Sequence, residues 1–560
     1  MLFTHSRRAR RLVACTALAL SAGMLFSGTA SADSPAPQPT IQKKDTSFTP
    51  PQLVRPGQDG ARAGAQAAAA TSPLLSDLDL DGIEDLVFRA GDGIYTTAGE
   101  GEEVVLGRVD VAKDIIPIGN QAGEAEPEML VLSENGTLTL YRDVAEYGTP
   151  YEHSVGGGWQ AYNKITSPGD VNGDGKADVI ARTPAGQLYV YIATGDVTKP
   201  LGARILVGSG WGAYDQLVGL GDGNGDGLAD MYARDRNGTL WFYTGTGDKN
   251  HPFATRKSIG GGWNTYNQIL PAGNGALWAR DNSGTMYLYI GKGDGTLNPR
   301  QKAGDTGDFA GIEQFALGGN IPYTGKDGFL ARDTAGTLFW YGPSTTGKVT
   351  PRQVASGTGE WKNAVWTAVS SMNPDNMQDT VQNLDGDLWI DGAYYIGSGW
   401  GIYNAFAGPG DLSGDGKGDL LARDRSGVLY LYKGNGEGDK FATRIRVGSG
   451  WGGYNKIFGG GDYTGDGRAD LLARTTGGDL YLYAGTGNAT TPFGGRVKIG
   501  SGWGTYKHLA AAGDLNADGK GDIVGITSAG DLYTYLNTTP GKFSTRARFG
   551  GGFQIYNQIG

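Results

Sequence analysis

The chain has almost no cysteine and very little histidine. Cys15 is the only cysteine in 560 residues, and four histidines are present without clustering. One thiol cannot build a disulfide framework, and isolated histidines offer no repeated acid–base arrangement. No G-x-S-x-G elbow, H-E-x-x-H pair or phosphate-binding loop stands out. We therefore expect no disulfide-stabilised module and no enzyme, although scattered aspartates leave carboxylate-based cleavage of a polysaccharide open.

Long apolar runs are also missing, apart from one near the start. An apolar stretch from Leu12 to Phe26 follows an arginine cluster and precedes the small residues Ala30-Ser31-Ala32. This order is typical of a secretory signal peptide, here residues 1–32, and the stretch is too short to span a membrane comfortably. Residues 33–72, rich in Pro, Ala, Gln and Gly, are predicted to be a disordered linker. The sequence thus predicts a secreted, extracellular protein without membrane insertion.

Basic side chains are fewer than acidic ones. The chain carries 58 acidic and 48 basic side chains, a formal net charge of −10. A bare acidic surface repels nucleic acid, so we expect no nucleic-acid partner. Much of the acidity is concentrated in short repeated loops, which gives the excess a local explanation.

Six copies of one acidic loop recur through the chain, with the pattern D-x-[DNST]-x-D-G-x-x-D. Oxygen-bearing side chains occupy loop positions one, three, five and nine, and glycine occupies position six. The candidate metal ligands are Asp77, Asp79, Asp81 and Asp85; Asp170, Asn172, Asp174 and Asp178; Asp222, Asn224, Asp226 and Asp230; Asp411, Ser413, Asp415 and Asp419; Asp462, Thr464, Asp466 and Asp470; and Asp514, Asn516, Asp518 and Asp522.

The ligand chemistry of these loops favours Ca²⁺. All candidate side-chain donors are oxygens, and Ca²⁺ takes about six to eight oxygens at about 2.3–2.6 Å. An EF-hand would need a bidentate glutamate at position twelve, where five loops have Ala181, Ala233, Ala422, Ala473 or Gly525. A metal-free polar turn held by Asx hydrogen bonds is the alternative. We expect about six calcium sites, with a structural role.

The loops sit in repeat units of about fifty residues. Each unit contains four short strand-like runs separated by Gly, Asn and Asp, and none has a sustained helical period. Ten such units predict an all-β fold, a β-propeller of about ten four-stranded blades over residues 73–560. One ring or two smaller rings, with a possible split near 305–318, are both compatible with the pattern. The final segment, Gly550–Gly560, is expected to complete the first blade.

Aromatic residues and arginines recur with the same period. A Gly-x-Gly-Trp-x-x-Tyr segment opens most units, paired aromatics lie on the third strand, and an arginine follows the second strand in Arg182, Arg234 and their counterparts. Packing between blades is one interpretation of the aromatics, and stacking platforms for sugar rings are the other. For the arginine, an ion pair or a carbonyl contact is the default and a ligand-facing role is the alternative.

The acidic loops and their setting resemble the FG-GAP/VCBS repeat family of calcium-bearing β-propellers, which includes integrin α heads and fungal lectins. The Gly-x-Gly-Trp-x-x-Tyr segments also resemble, more weakly, the repeats of sugar-binding tachylectin-type propellers. These resemblances imply calcium in the six loops and a non-enzymatic, lectin-like protein that binds an extracellular glycan or cell-envelope polysaccharide. A protein–protein adhesion or scaffold module and a polysaccharide-degrading enzyme remain the alternatives.

Overall fold

The computed structural model describes residues 74–560, except for 81–83, 91–92, 99–111, 124–125, 134, 143, 145–150, 274, 311, 313, 319–325, 344–346, 363, 374–375, 517 and 540. The predicted signal peptide (1–32) and linker (33–72) lie outside the described residues, as does Asp81. Across the described part of the chain, every helix is too short or too polar to cross a membrane.

The first part of the chain forms blades 1 to 5, which we call the first ring. Its strands are β1 (Val87–Ala90), β2 (Gly93–Thr96), β3 (Ala112–Pro117), β4 (Met129–Ser133), β5 (Leu138–Arg142), β6 (Tyr151–Gly156), β7 (Lys164–Gly169), β8 (Asp178–Arg182), β9 (Leu188–Tyr191), β10 (Ile205–Gly208), β11 (Tyr214–Gly221), β12 (Asp230–Asp235), β13 (Leu240–Tyr243), β14 (Lys257–Gly260), β15 (Tyr266–Pro271), β16 (Leu277–Asp281), β17 (Met286–Tyr289), β18 (Gln301–Lys302) and β19 (Gln314–Phe315).

The remainder of the chain forms blades 6 to 10, which we call the second ring. Its strands are β20 (Phe329–Asp333), β21 (Leu338–Tyr341), β22 (Gln353–Val354), β23 (Val365–Val369), β24 (Asp379–Leu384), β25 (Asp387–Ile390), β26 (Tyr394–Gly397), β27 (Tyr403–Gly410), β28 (Asp419–Asp424), β29 (Leu429–Lys433), β30 (Ile445–Gly448), β31 (Tyr454–Phe458), β32 (Leu471–Thr475), β33 (Leu480–Tyr483), β34 (Val497–Gly500), β35 (Tyr506–Ala511), β36 (Ile523–Thr527), β37 (Leu532–Tyr535), β38 (Asn537–Thr539), β39 (Lys542–Phe543), β40 (Ala547–Gly550) and β41 (Tyr556–Ile559).

Each blade is an antiparallel sheet that runs from a buried inner strand to an exposed outer strand. In blade 4 the order is β11-β12-β13-β14, with β11 almost wholly buried and β14 largely exposed. Strand β13 alternates buried and half-buried residues, as expected for a strand with one face in a core. Among the described residues, nine sheets have four strands and blade 1 has three, beside the separate β38-β39 hairpin. The predicted all-β fold of ten blade units is confirmed.

Short 3₁₀ turns lead into seven of the inner strands. They are Trp159–Ala161, Trp211–Ala213, Trp263–Thr265, Trp400–Ile402, Trp451–Gly453, Trp503–Thr505 and Phe553–Ile555. The residue before each turn is a glycine with φ between 83° and 97°. Side chains avoid this left-handed region, which explains the glycine of the Gly-Trp motif. The turn places the aromatic residue between its own blade and the preceding one.

Strand pairing closes the blades into two sets of five. β19 pairs with β1, with Phe315 opposite Phe88, and so supplies the inner strand of blade 1. β41 pairs with β20, with Ile559 opposite Ala331, and supplies the inner strand of blade 6. The expectation that the final segment completes the first blade is therefore wrong. A nearer strand, β19, fills that place after only five blades.

The inner strands of each set follow one another around a centre. In the first ring β3, β7, β11 and β15 pack in sequence, and Gln314 of β19 donates from Nε2 to the Lys113 carbonyl of β3 over 2.9 Å. In the second ring, Gln558 of β41 donates to the Trp366 carbonyl of β23. Apolar side chains fill the space between adjacent blades, as where Ile180 and Val190 of blade 3 pack with Leu217 of blade 4. Each set of five therefore forms a ring with a core at every blade junction.

The two rings contact each other through loops of the second ring. Asn163 Nδ2 of the first ring donates to the Asp518 carbonyl over 2.8 Å, and Arg236 donates to the Asn516 carbonyl over 2.7 Å. Asn376 Nδ2 donates to the Ala112 carbonyl over 3.3 Å. The loops that join the first two strands of blades 7 and 10 therefore lie against the first ring.

Candidate metal loops and aromatic pockets

The position-one aspartate is the hub of each complete loop. In the loop of residues 170–178, Asp170 Oδ1 accepts backbone N–H groups from Asn172, Gly173 and Asp174 at 3.1, 2.7 and 3.2 Å. Its Oδ2 accepts the N–H of Gly175 at 2.6 Å. These bonds curl the backbone around one carboxylate and turn the side chains of positions three and five toward the same side. Gly175 has a φ of 85°, which requires glycine at position six.

The position-nine aspartate ties the loop to its blade. Asp178 is fully buried, and its Oδ2 accepts the N–H of Val171 at 3.0 Å while Oδ1 accepts that of Ala193 at 2.8 Å. Ala193 follows the third strand, so one carboxylate joins the loop, the start of β8 and the end of β9. Asp230, Asp419, Asp470 and Asp522 hold the same two connections in their blades.

The hub pattern recurs in the loops that begin at Asp222, Asp411, Asp462 and Asp514. Position-five aspartates accept the N–H of position seven, and asparagine at position three reaches position five, as Asn172 Nδ2 does to Asp174 Oδ2 over 3.1 Å. In Ser413 and Thr464 the hydroxyl instead reaches the hub carboxylate. The structure therefore links the predicted side chains of these five loops to one curled backbone through hydrogen bonds. Within the described residues, three carboxylates lie within 4.8 Å of one another only in the first loop.

The first loop differs because its position three is also an aspartate. Carboxylate oxygens of Asp77, Asp79 and Asp85 all lie within 4.8 Å of one another. Asp85 Oδ2 accepts the N–H of Leu78 at 2.9 Å, which is the position-nine connection of the other loops. The fourth predicted ligand of this loop, Asp81, lies outside the described residues.

The electrostatics of the loops suit a divalent cation. Burial, as the leading cause, together with the charges of Asp174 and Asp170 raises the pKa of Asp178 to about 7. Asp230, Asp419 and Asp470 have pKa values raised to about 7 with the same leading cause, burial, and with like-charge repulsion from their own loops. Three carboxylates in one turn repel each other unless a cation offsets them. Their all-oxygen donor set fits Ca²⁺, which would be held by positions one, three, five and nine.

Two further loops keep this geometry although their sequences depart from the pattern. In residues 371–379, buried Asp379 accepts the N–H of Met372 at 2.6 Å, and Asn376 takes position six with a φ of 58°. In residues 120–128, Glu128 accepts the N–H of Gln121 at 2.5 Å. Neither loop is among the six that match the acidic pattern. Asn373 and Asp379 still match positions three and nine of the acidic pattern, but Asn376 stands where the pattern has glycine.

A second repeated feature is an aromatic cluster at the start of seven of the inner strands. In blade 10, Ser501, Gly502, Trp503, Thr505, Tyr506, Tyr535 and Arg546 line a recess of ≈ 270 Å³. The Tyr506 and Tyr535 hydroxyls are 2.5 Å apart, and the Trp503 and Tyr535 ring centres are 4.5 Å apart. The Arg546 guanidinium lies 4.8 Å from the centre of the Tyr533 ring. We call this arrangement the aromatic pocket.

The tyrosine pair of the aromatic pocket occurs seven times. The pairs, with hydroxyls 2.5–2.7 Å apart, are Tyr162–Tyr191, Tyr214–Tyr243, Tyr266–Tyr289, Tyr341–Tyr556, Tyr403–Tyr432, Tyr454–Tyr483 and Tyr506–Tyr535. An arginine from the chain after the third strand donates to the first tyrosine in five copies, for example Arg496 to Tyr454 over 2.7 Å. The repeat therefore places the same tyrosine pair in blades of both rings.

The indoles of these pockets belong to the cores. Trp211 is only 8 % exposed and Trp503 only 6 %, so their faces cannot serve as open platforms for a sugar ring. The arginine after the second strand is also structural. Arg182 Nη1 donates to the carbonyls of Trp211 and Tyr214 in the next blade, at 3.1 and 2.5 Å. This agrees with the carbonyl contact expected by default.

Part of the chain matches a known family. A family model described as an FG-GAP-like repeat matches residues 170–233, 411–473 and 462–525. Each match runs from one acidic loop through the next loop and into the strand that follows. The chain therefore carries FG-GAP-like repeats in both rings, which confirms the resemblance read from the loops.

Solved structures show only a distant likeness. A lectin of Agrocybe aegerita, described as recognising non-reducing terminal N-acetylglucosamine, is 15 % identical over 84 % of this chain and 91 % of that one, with a TM-score of 0.19. The BP39L lectin of Burkholderia pseudomallei is 13 % identical over 79 % and 99 %, with a TM-score of 0.21. BBS1N in complex with ARL6DN is 12 % identical over 58 % and 77 %, also at 0.21. No curated protein matches the chain. TM-scores of this size transfer no ligand to this chain.

Proposed function

We propose that the chain is a secreted, non-enzymatic, calcium-stabilised pair of β-propellers that binds an extracellular glycan or cell-envelope polysaccharide. The observation that carries this proposal is the aromatic pocket of blade 10. Its tyrosine pair, with an arginine over an adjacent aromatic ring, recurs in seven blades.

The chemistry of the aromatic pocket suits a saccharide. A tyrosine edge offers apolar surface to the C–H side of a pyranose, while Tyr506, Tyr535 and Arg546 offer hydroxyl and guanidinium groups to its oxygens. Each recess is shallow, so each site alone binds weakly. Several sites on one rigid frame gain strength together on a polymer with repeating units.

Calcium would have a supporting role in this proposal. The four oxygen-bearing positions of each loop would hold it, and it would supply positive charge that offsets the clustered carboxylates. The chain itself holds the loop in place: the hub aspartate accepts the loop's N–H groups, and the position-nine aspartate connects the loop to two strands. Metal bound only by the folded chain stabilises that chain.

A glycan array tests the ligand class. Wild-type protein with calcium is expected to bind a subset of oligosaccharides or envelope polysaccharides at high surface density. A triple variant, Arg444→Met, Arg496→Met and Arg546→Met, removes three pocket guanidiniums while keeping aliphatic bulk, and it should lose most of the bound signal. The matched control, Lys249→Met, Lys292→Met and Lys440→Met, removes three exposed charges elsewhere and should bind as wild type.

Two outcomes would count against this function. An array without binding at any density would remove the glycan as ligand. Equal binding by the triple arginine variant would remove the aromatic pocket as the site. Incubation of the protein with bound polymers, followed by a reducing-end assay, is expected to show no cleavage.

A further inference from the structure

A cavity of ≈ 200 Å³ lies where the first ring meets the centre of the second ring. The second ring contributes the ends of its inner strands and the loops that follow them. The first ring contributes Lys113, Asn135 and Gln160. We call this space the inter-ring cavity. It is separate from the aromatic pockets, since the two sets of lining residues share no member.

Cationic side chains converge on the inter-ring cavity from both rings. They are Lys113, Lys326, Lys417, Lys456, Arg468 and Lys520. Two of them are engaged with carboxylates of their own loops: Arg468 lies 3.1 Å from Asp466, and Lys520 lies 2.8 Å from Asp518. Lys417 and Lys456 form no ion pair with any carboxylate in the described part of the chain.

Carboxylates also line the inter-ring cavity, but three of them are occupied. Asp411, Asp462 and Asp514 are hub residues, and their oxygens accept N–H groups of their own loops at 2.6–3.3 Å. The fourth, Asp327, accepts the N–H of Asp514 at 2.8 Å. The acidic oxygens are therefore directed into the loops, whereas Lys417 and Lys456 have no carboxylate partner in the described part of the chain.

Lys456 is the most informative of these cations. It stands on inner strand β31 two residues after Tyr454, and the equivalent residues of blades 4, 5 and 6 are Gln216, Gln268 and Gln558. Lys456 is thus a half-buried cation at a position where three blades carry a neutral amide, although blade 3 also has a lysine there, Lys164. Burial lowers the pKa of Lys456 to about 8, with the Arg474 guanidinium as the second cause. An uncompensated charge at this depth is costly unless a counter-ion accompanies it.

We infer that the inter-ring cavity binds a compact anion whose phosphate or carboxylate group is held by Lys456 and Lys417. The surrounding wall is rich in glycine, including Gly459, Gly460 and Gly461, so little side-chain bulk separates an entering anion from the backbone. A lysine is a point charge that binds either group. The volume admits a monosaccharide-sized ligand but not a long polymer.

Isothermal titration calorimetry with three matched hexoses tests this site. The probes are D-glucuronate, D-glucose 6-phosphate and neutral D-glucose, each titrated into the full chain. At least one anionic probe is expected to bind more tightly than glucose, and the stronger of the two identifies carboxylate or phosphate as the preferred group. Since a hydrogen bond to a charged group contributes about 1.5–3 kcal/mol, Lys456→Gln should weaken that probe about tenfold or more.

The variants are chosen so that the rings still form. Glutamine occurs at the Lys456 position in three other blades, and leucine occurs at the Lys417 position in the loop of blade 4, as Leu228. Lys456→Gln and Lys417→Leu should each lower anion affinity without shifting the melting temperature. Lys507→Gln removes an exposed lysine one residue before the equivalent strand position of blade 10, and it should leave anion affinity unchanged.

Three results would overturn the inference. Equal affinity for glucose and for both anions would remove charge as the basis of binding. Unchanged anion affinity in both Lys456→Gln and Lys417→Leu would place the anion elsewhere. Loss of anion binding in the triple arginine variant, with both lysine variants unaffected, would assign it to the aromatic pockets. These outcomes are independent of the glycan array, whose failure would leave the cavity site standing.

Discussion

The loop of residues 170–178 in the first ring and the loop of residues 514–522 in the second ring are close in sequence but differ in surroundings. They read DVNGDGKAD and DLNADGKGD, and both show the hub and position-nine bonds described above. In the first, Asp174 is exposed to solvent. In the second, Lys520 and Asp518 are 8 % and 14 % exposed in their side chains. The loop conformation is therefore local, whereas its exposure is set by the ring contact.

The covering of the second loop comes from named residues of the first ring. Asn163 and Arg236 donate to its carbonyls, and a Cβ added to Gly519 would lie 2.5 Å from the Cβ of Asn163. A Cβ added to Gly175, at the same position of the exposed loop, would meet nothing within 4 Å. The pair thus offers one motif in two environments, and each of the following experiments compares them.

The largest effect should come from calcium removal, which acts on both loops together. Dialysis against EGTA is expected to lower the melting temperature by more than about 10 °C, because several bound ions each stabilise the folded chain by a few kcal/mol. Calorimetry with and without restored Ca²⁺ measures it. Asp174→Ala should reduce bound calcium by one ion per chain in elemental analysis. Equal heat resistance with and without EGTA would refute calcium as the stabiliser.

Loss of the hub carboxylate should be the next largest effect, and it should differ between the loops. Asp514→Ala and Asp170→Ala both leave backbone N–H groups without their acceptor, at roughly 1–3 kcal/mol for each group that stays buried. Both hub carboxylates are at least half-buried, but the donors Gly173, Asp174 and Gly175 are exposed to water whereas Asp518 and Gly519 are partly covered. We therefore expect about 4 kcal/mol for Asp514→Ala and about 2 kcal/mol for Asp170→Ala. Denaturant unfolding in EGTA measures both without the contribution of metal. Equal losses would show that the ring contact does not exclude water.

Alanine at position six separates backbone strain from ring contact. Gly175→Ala and Gly519→Ala both force a side chain into a φ near 80°, at about 1–2 kcal/mol. Only Gly519→Ala also collides with Asn163, and overpacking of this kind adds about 1–3 kcal/mol. Melting temperatures of the two variants measure the difference. The double variant Gly519→Ala with Asn163→Gly should recover part of the loss, and no recovery would place the strain elsewhere.

The smallest effect concerns the lysine at position seven. Lys520 Nζ lies 2.8 Å from Asp518 Oδ2 in the covered loop, and Lys176 forms no ion pair with Asp174. A double-mutant cycle with alanine, in EGTA, should give a coupling of about 1 kcal/mol for Lys520–Asp518. The same cycle for Lys176 and Asp174 should give less than about 0.3 kcal/mol. Equal couplings would mean that covering the pair does not strengthen it.

Much of the fold was predictable because its signals are local. The acidic loop, the Gly-Trp turn and the alternating strands each arise from a few adjacent residues, and their period indicated ten blades. Ring closure was not predictable, because it depends on which distant strand completes blade 1. That strand is preceded by Phe309 and Ile312 where other blades have Trp and Tyr. Arg280 donates to the carbonyls of Phe309 and Ile312 as Arg182 does to those of Trp211 and Tyr214. The contact between blades is therefore kept although the side chains that identify the turn in sequence differ.

The candidate sites divide in the same way. The candidate calcium ligands were predicted from spacing alone, and the hub and position-nine bonds give that spacing a physical basis. The loop of residues 371–379 falls outside the acidic pattern, because Ser371 and Asn376 replace its first aspartate and its glycine, yet Asn376 keeps a positive φ. The inter-ring cavity could not be predicted from any single sequence segment. Its lysines come from separate blades and from both rings, and only the assembled chain brings them together.

The pairing of β19 with β1 also bears on the order in which the molecule is made. By about residue 318 the first ring already possesses all five of its inner strands, so it can mature while later segments are still being synthesised or exported. The second ring has no such early completion, because β20 must wait for β41, more than 200 residues downstream. During that interval the half-built second ring would present an unpaired inner edge, the stage most vulnerable to proteases and to mispairing.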